Sequence, residues 1–99
     1  MAAALMVTYP ASAGARFDRD YYVATHLPLV RARWTPRGLD DATGYFPEGD
    51  GAVLAVAILT FRDAAAREAA LGSAEAAEVF GDIANFTDVE PVPMPLSVG

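Results

Sequence analysis

Hydrophobic and polar positions change period four times along the chain, and the changes, with the turns between them, mark out the elements. Leu5 to Tyr9 is a short apolar run closed by Pro10 and the small-residue loop Ala11 to Ala15, as expected of a first strand and its exit. From Phe17 to Trp34 the spacing becomes helical: Val23, Leu27, Val30 and Trp34 form one apolar stripe. Asp18 and Asp20 stand where a first helical turn has free backbone donors and a positive dipole end. Thr35-Pro36-Arg37-Gly38 ends this helix, with glycine available for a left-handed cap. Asp40 to Phe46 reads as a second strand, and Pro47 to Gly51 as a turn.

Ala52 to Phe61 carries the clearest strand pattern. Leu54, Val56, Ile58 and Thr60 occupy one face, and Val53, Ala55, Ala57, Leu59 and Phe61 the other. A strand with one wet face alternates with polar residues, so this one is expected to be covered on both sides. Arg62-Asp63 opens an alanine-rich helix through Leu71, Gly72-Ser73 interrupts it, and a second helical piece runs from Ala74 to about Ala84. The chain then returns as a strand from Thr87 to Val92, followed by a proline-rich tail, Pro91 to Gly99. The order β, α, β, β, α, β is that of a single α+β, ferredoxin-like domain over residues 1–99: a four-stranded antiparallel sheet with both helices on one face. Helices cover one face of the two-sided strand; a second copy of the chain is expected on the other, as a homodimer packed sheet to sheet.

Composition supports that expectation. A chain of 99 residues has little core of its own, and its hydrophobic fraction of 54% exceeds the roughly 45–50% typical of soluble domains. No cysteine is present, so neither disulfides nor a thiolate nucleophile is available, and a single histidine without cysteine cannot close a structural zinc site. With 7 basic residues, all arginine and scattered, against 13 acidic ones, the net charge of −6 gives no basic stripe for nucleic acid or an anionic membrane. The apolar start, Met1 to Val7, has no basic residue before it and is broken by Tyr9-Pro10, unlike a signal peptide. No run approaches the roughly 20 apolar residues that span a bilayer. A soluble, cytoplasmic protein is expected. No glycine-rich phosphate loop and no Ser/His/Asp arrangement occurs, so no nucleotide cofactor and no metal is implied.

His26 is the one side chain that titrates near neutrality unaided. At about 100° per residue it lies about 40° from Val30, at the edge of the stripe, with Tyr22 one turn earlier on the same side. Pro28 leaves the Ala24 carbonyl without its helical donor and is expected to bend the helix beside the histidine. Two readings stay open: a core histidine bonded to backbone, or an acid/base group facing a pocket between helix and sheet. The aromatic residues divide likewise between core, interface and pocket wall. Asn85 suits either a helix cap or the orientation of a ligand carbonyl. Ala55 and Ala57 leave room for a cavity or for close helix packing.

Two stretches, Phe17-Asp-Arg-Asp-Tyr-Tyr-Val-Ala-Thr-His-Leu-Pro-Leu-Val30 and Asp82-Ile-Ala-Asn-Phe-Thr-Asp-Val-Glu-Pro-Val92, resemble the signature segments of the EthD family, named from ethyl tert-butyl ether degradation loci. The resemblance extends from about Leu5 to Val92. It implies a ferredoxin-like protomer of a dimeric α/β barrel, with the family histidine at His26. Some relatives look like cofactor-independent decarboxylases, dehydratases or cyclases acting on polyketide-type aromatic substrates. On that pattern His26 is the general acid or base and Tyr22 donates a hydrogen bond to a substrate oxygen. Tyr9, Trp34, Phe61, Phe80 and Phe86 then form an apolar wall, and Asn85 is a further substrate contact. The alternative is a non-catalytic dimeric protein that binds a small apolar molecule or accompanies an oxygenase or degradation pathway.

Overall fold

The computed structural model describes all 99 residues. Four strands, β1 (Ala3–Pro10), β2 (Leu39–Tyr45), β3 (Val53–Phe61) and β4 (Val92–Ser97), pair in the order β2-β3-β1-β4. Every pairing is antiparallel. Helices cover one face: the first from Arg19 to Trp34, then α3 (Ala64–Leu71) and α4 (Glu75–Gly81), which ends in a 3₁₀ turn, Asp82–Asn85. This is the ferredoxin-like α+β architecture expected from the sequence.

Strand parity decides what is buried. Leu5, Val7 and Tyr9 of β1 and Ala55, Ala57, Leu59 and Phe61 of β3 point to the helices and join the core. The opposite face of β3, Leu54, Val56, Ile58 and Thr60, is half-buried in the protomer. Gly38, expected as a left-handed cap, has φ +102°, and its N–H returns to the Thr35 carbonyl at 3.1 Å. No helix is long and apolar enough to cross a membrane.

Two expectations change. The last strand is Val92–Ser97, within the stretch read as a tail, whereas Thr87 to Pro91 is irregular apart from one bridge, Phe17 to Thr87. The prolines that argued against a strand are compatible with an edge. Pro93 and Pro95, two residues apart, present the same backbone row, and turning that row outward leaves the ladder to β1 intact.

The first helix also departs from a regular α-helix. It consists of α1 (Arg19–Tyr21), a π-helical turn (Tyr22–His26) and α2 (Leu27–Trp34). Asp18 caps it, its carboxylate accepting from the Tyr21 N–H at 3.0 Å. At the end of the wide turn the Leu27 N–H donates to the Tyr22 carbonyl, five residues back. The wide turn abuts Pro28, which has no N–H with which to continue an α ladder. It also rotates the N-terminal part of the helix, so the stripe is not the expected one. Val23 is exposed, whereas Tyr22, His26, Leu27, Val30 and Trp34 are buried. His26 therefore sits inside the buried row and not at its edge.

Candidate active site

The two ends of the helical layer are stitched together beneath His26. Asp18 N–H donates to the Phe86 carbonyl at 2.8 Å, Thr87 Oγ1 to the Arg16 carbonyl at 2.6 Å, and Arg16 N–H to Asp88 at 2.9 Å. This clasp fixes the start of the first helix against the 3₁₀ turn and brings Asp82 under His26. The His26 Nδ1 lies 2.9 Å from Asp82 Oδ2, both side chains being largely buried. Asp82 in turn accepts on Oδ1 from the Tyr21 hydroxyl at 2.6 Å and from Asn85 Nδ2 at 3.0 Å.

These contacts set the charges and the tautomer. Burial opposes ionisation of Asp82, but the donors from Tyr21, Asn85 and His26 together outweigh it and hold its carboxyl below the usual value. An ionised carboxylate only accepts, so Nδ1 of a neutral His26 carries the proton and Nε2 keeps its lone pair. Burial pulls the His26 pKa below the ordinary 6.5, against the opposing pull of Asp82. A neutral, oriented imidazole with one free lone pair is a general base; protonated, it is a general acid.

Tyr22 stacks on His26, their ring centroids 5.5 Å apart and planes 22° from parallel. Gly44 of β2 permits this position, since a Cβ there would come within 2.7 Å of Tyr22 Cε2. Phe86 also packs on the imidazole, 4.6 Å away between centroids, and touches Tyr22 as well, at 5.1 Å. Around these rings Tyr9, Phe17, Tyr22 and Phe86 make edge-to-face contacts.

Between the helix and the inner sheet face lies an apolar cavity. Leu5, Val7, Ala57 and Leu59 form its floor, Tyr9, Tyr22, His26 and Trp34 border it from the β1 and helix sides, and Val79, Phe80 and Ile83 close one side. Its atom-free volume, counted out to where it opens to solvent, is about 370 Å³. No group of three or more His, Asp or Glu side chains that could hold a metal ion comes together anywhere in the fold.

Of the residues singled out in the sequence, His26, Tyr22, Tyr9, Trp34 and Phe80 border this cavity. Phe61 does not; it is fully buried beside Trp34, at 6.2 Å between centroids. Phe86 is placed on the imidazole outside the cavity lining, and Asn85 is turned to Asp82. Neither the bond from His26 to a carboxylate nor the roles of Asp82 and Tyr21 was read from the sequence. The available signal was the spacing of Asp82 and Asn85, three apart on a helical turn, which puts both on one side.

Fold and site together define a ferredoxin-like α+β protein with a buried His–carboxylate pair beside an apolar cavity. No family model matches the sequence, and no curated protein does. Among solved structures, an EthD-like protein from Ralstonia eutropha JMP134 is 34% identical and superimposes with a TM-score of 0.82 over 98% of this chain and 91% of its own. An ethyl tert-butyl ether degradation family protein from Bacillus halodurans C-125 is 17% identical, with a TM-score of 0.65 over 93% of this chain and 97% of its own. A dimeric ferredoxin-like protein of unknown function from Jannaschia sp. CCS1 is 15% identical, with a TM-score of 0.68 over 99% of this chain and all of its own. The chain belongs to the EthD-like family.

Proposed function

We propose that the protein is a small-molecule enzyme in which His26 moves a proton on an apolar or aromatic substrate, in a reaction of the decarboxylase, dehydratase or cyclase type. The observation that carries this reading is the 2.9 Å contact between His26 Nδ1 and Asp82. It assigns the tautomer and leaves Nε2 as the base. Proton transfer of this kind needs only the imidazole, its carboxylate and a donor to the developing oxyanion, which is the role given to Tyr22; no cofactor enters the scheme.

A binding or accessory role is the competing reading, favoured by a lining that is almost wholly apolar. One experiment separates the two. Exchange of the acidic α-protons of aromatic 1,3-diketones in D₂O, followed by NMR, reads proton transfer whatever the final product. His26→Ala is expected to lower the protein-dependent rate at least about 10²-fold; an unchanged rate removes His26 from catalysis and leaves the binding role.

The functional unit we propose is a homodimer through the open sheet face. Met6, Ile58, Val56, Met94 and Leu96 lie on that face, and Met94 alone is 46% exposed. The structurally similar protein from Jannaschia is described as dimeric.

A further inference from the structure

Two buried donors bordering the cavity have no partner. The Tyr22 hydroxyl and the Trp34 indole N–H make no hydrogen bond, although the residues are 0% and 1% exposed. Most buried polar atoms in folded proteins are paired, and an unpaired one forfeits its hydration without return. Both belong to residues that line the same cavity, so a molecule filling that cavity is the candidate source of their acceptors.

The chemistry of the missing acceptors is specific. An indole N–H only donates, and burial raises the Tyr22 pKa so that its hydroxyl keeps its proton. Apart from His26 and the hydroxyls of Tyr9 and Tyr22, no lining side chain titrates, so nothing there pairs with an anionic ligand, and the ionised Asp82 behind His26 repels one. Tyr22 and Trp34 stand twelve helical steps apart, up to about 18 Å of rise at Cα and somewhat less across the π turn. Donors set that far apart along the helix call for acceptors at separate points of the ligand.

We infer that the cavity takes a neutral, elongated apolar molecule with an acceptor oxygen toward each end, one held by Tyr22 and one by Trp34. This rests on the reading of the cavity as a small-molecule site. His26, one turn from Tyr22, then faces the molecule near the first oxygen, where polarising a carbonyl acidifies the adjacent C–H. The cavity is narrow, so the ligand enters by displacing part of its wall. Phe80 and Ile83 also border an outer groove, and Phe80 is 40% exposed; these two side chains form that door.

Calorimetric titration with a matched series tests the inference: naphthalene, 2-acetylnaphthalene, 2,6-diacetylnaphthalene and the anionic 6-acetyl-2-naphthoate. Affinity is expected to rise about five- to tenfold with each carbonyl, the size of one neutral hydrogen bond, and the carboxylate to bind weakest. Tyr22→Phe and Trp34→Phe each remove the gain of one carbonyl, read as the ratio of ketone to naphthalene affinity within the same variant. Because the hydroxyl is unpaired in the empty protein, Tyr22→Phe keeps or raises the melting temperature. Equal affinity for the three neutral probes, no binding of any probe, or a lower melting temperature in Tyr22→Phe overturns the inference, the last because it shows the hydroxyl already satisfied by water. His26→Ala is expected to preserve the affinity order. Loss of carbonyl discrimination with His26-dependent proton exchange intact therefore sinks this inference alone, and the converse result sinks only the proposed activity.

Discussion

At the scale of single residues, the site depends on one carboxylate that never reaches the cavity. Asp82 holds the His26 tautomer, and Tyr21 and Asn85 hold Asp82. Asp82→Asn is nearly isosteric, but its amide can donate to Nδ1 and drive the proton to Nε2, which destroys the base. The expected result is a loss of at least about 10²-fold in kcat/KM with little change in KM, measured by the same exchange assay. The pH dependence follows from the direction of the His26 shift. As a general base His26 must be neutral, so activity rises through its pKa, which lies below 6.5, and is flat at neutral pH. Stability has the same sign. The unfolded chain binds the histidine proton first as pH falls, so stability is full above 6.5 and is lost as pH falls from 6.5 through the folded-state value. Asp82, also depressed, adds a second loss only below its ordinary 3.8. Melting temperatures measured from pH 8 to 5 are expected to decline for the native protein and to decline less for His26→Gln.

At the scale of elements, the wide helical turn Tyr22–His26 decides which side chains enter the core. Pro28 sustains it, because no N–H is available there for a regular ladder. Pro28→Ala restores the donor and lets the helix close to α geometry, rotating Tyr22 and Val23 relative to the sheet. Turnover is expected to fall at least about tenfold while the melting temperature holds or rises, since alanine is the better helix former by about 3 kcal/mol in a helix interior. Unchanged turnover would show that the π turn does not need the proline. Gly44 makes the complementary contribution from β2. In Gly44→Ala the new methyl meets Tyr22 Cε2 at 2.7 Å, and overpacking of this kind costs about 1–3 kcal/mol. Denaturant unfolding measures that loss.

At the scale of the whole molecule, a sheet has two faces and this chain supplies helices for one. Val56 and Ile58 on β3, with Met6 on the neighbouring β1, leave an apolar strip half-exposed in the middle of the sheet. Ile58→Asp places a charge there without touching the cavity. The expected outcome is a monomer by sedimentation velocity at micromolar concentration, with a lowered melting temperature, while the native protein sediments as a dimer. A native monomer under those conditions contradicts the sheet-to-sheet assembly.

Local chemistry carried most of the architecture. The order of elements, the Asp18 cap, the Gly38 turn and the two-sided apolar strand are each set within a few residues by backbone sterics and side-chain alternation, and all were legible in the sequence. The edge strand Val92–Ser97 was not, because two prolines disqualify a central strand but not an edge one, and only the sheet order says which it is. The buried helix row departs from the simple stripe for a similar reason: a π turn changes the angular period, so Val23 and His26 exchange environments. The His26–Asp82 pair spans 56 positions, and its 2.9 Å separation depends on the clasp between Phe17-Asp18 and Phe86-Thr87. Sequence named the histidine because imidazole is the one group present that titrates near neutrality. Tertiary packing alone chose its carboxylate, its tautomer and the two unpaired donors beside it, since those depend on distances between segments that no local pattern encodes.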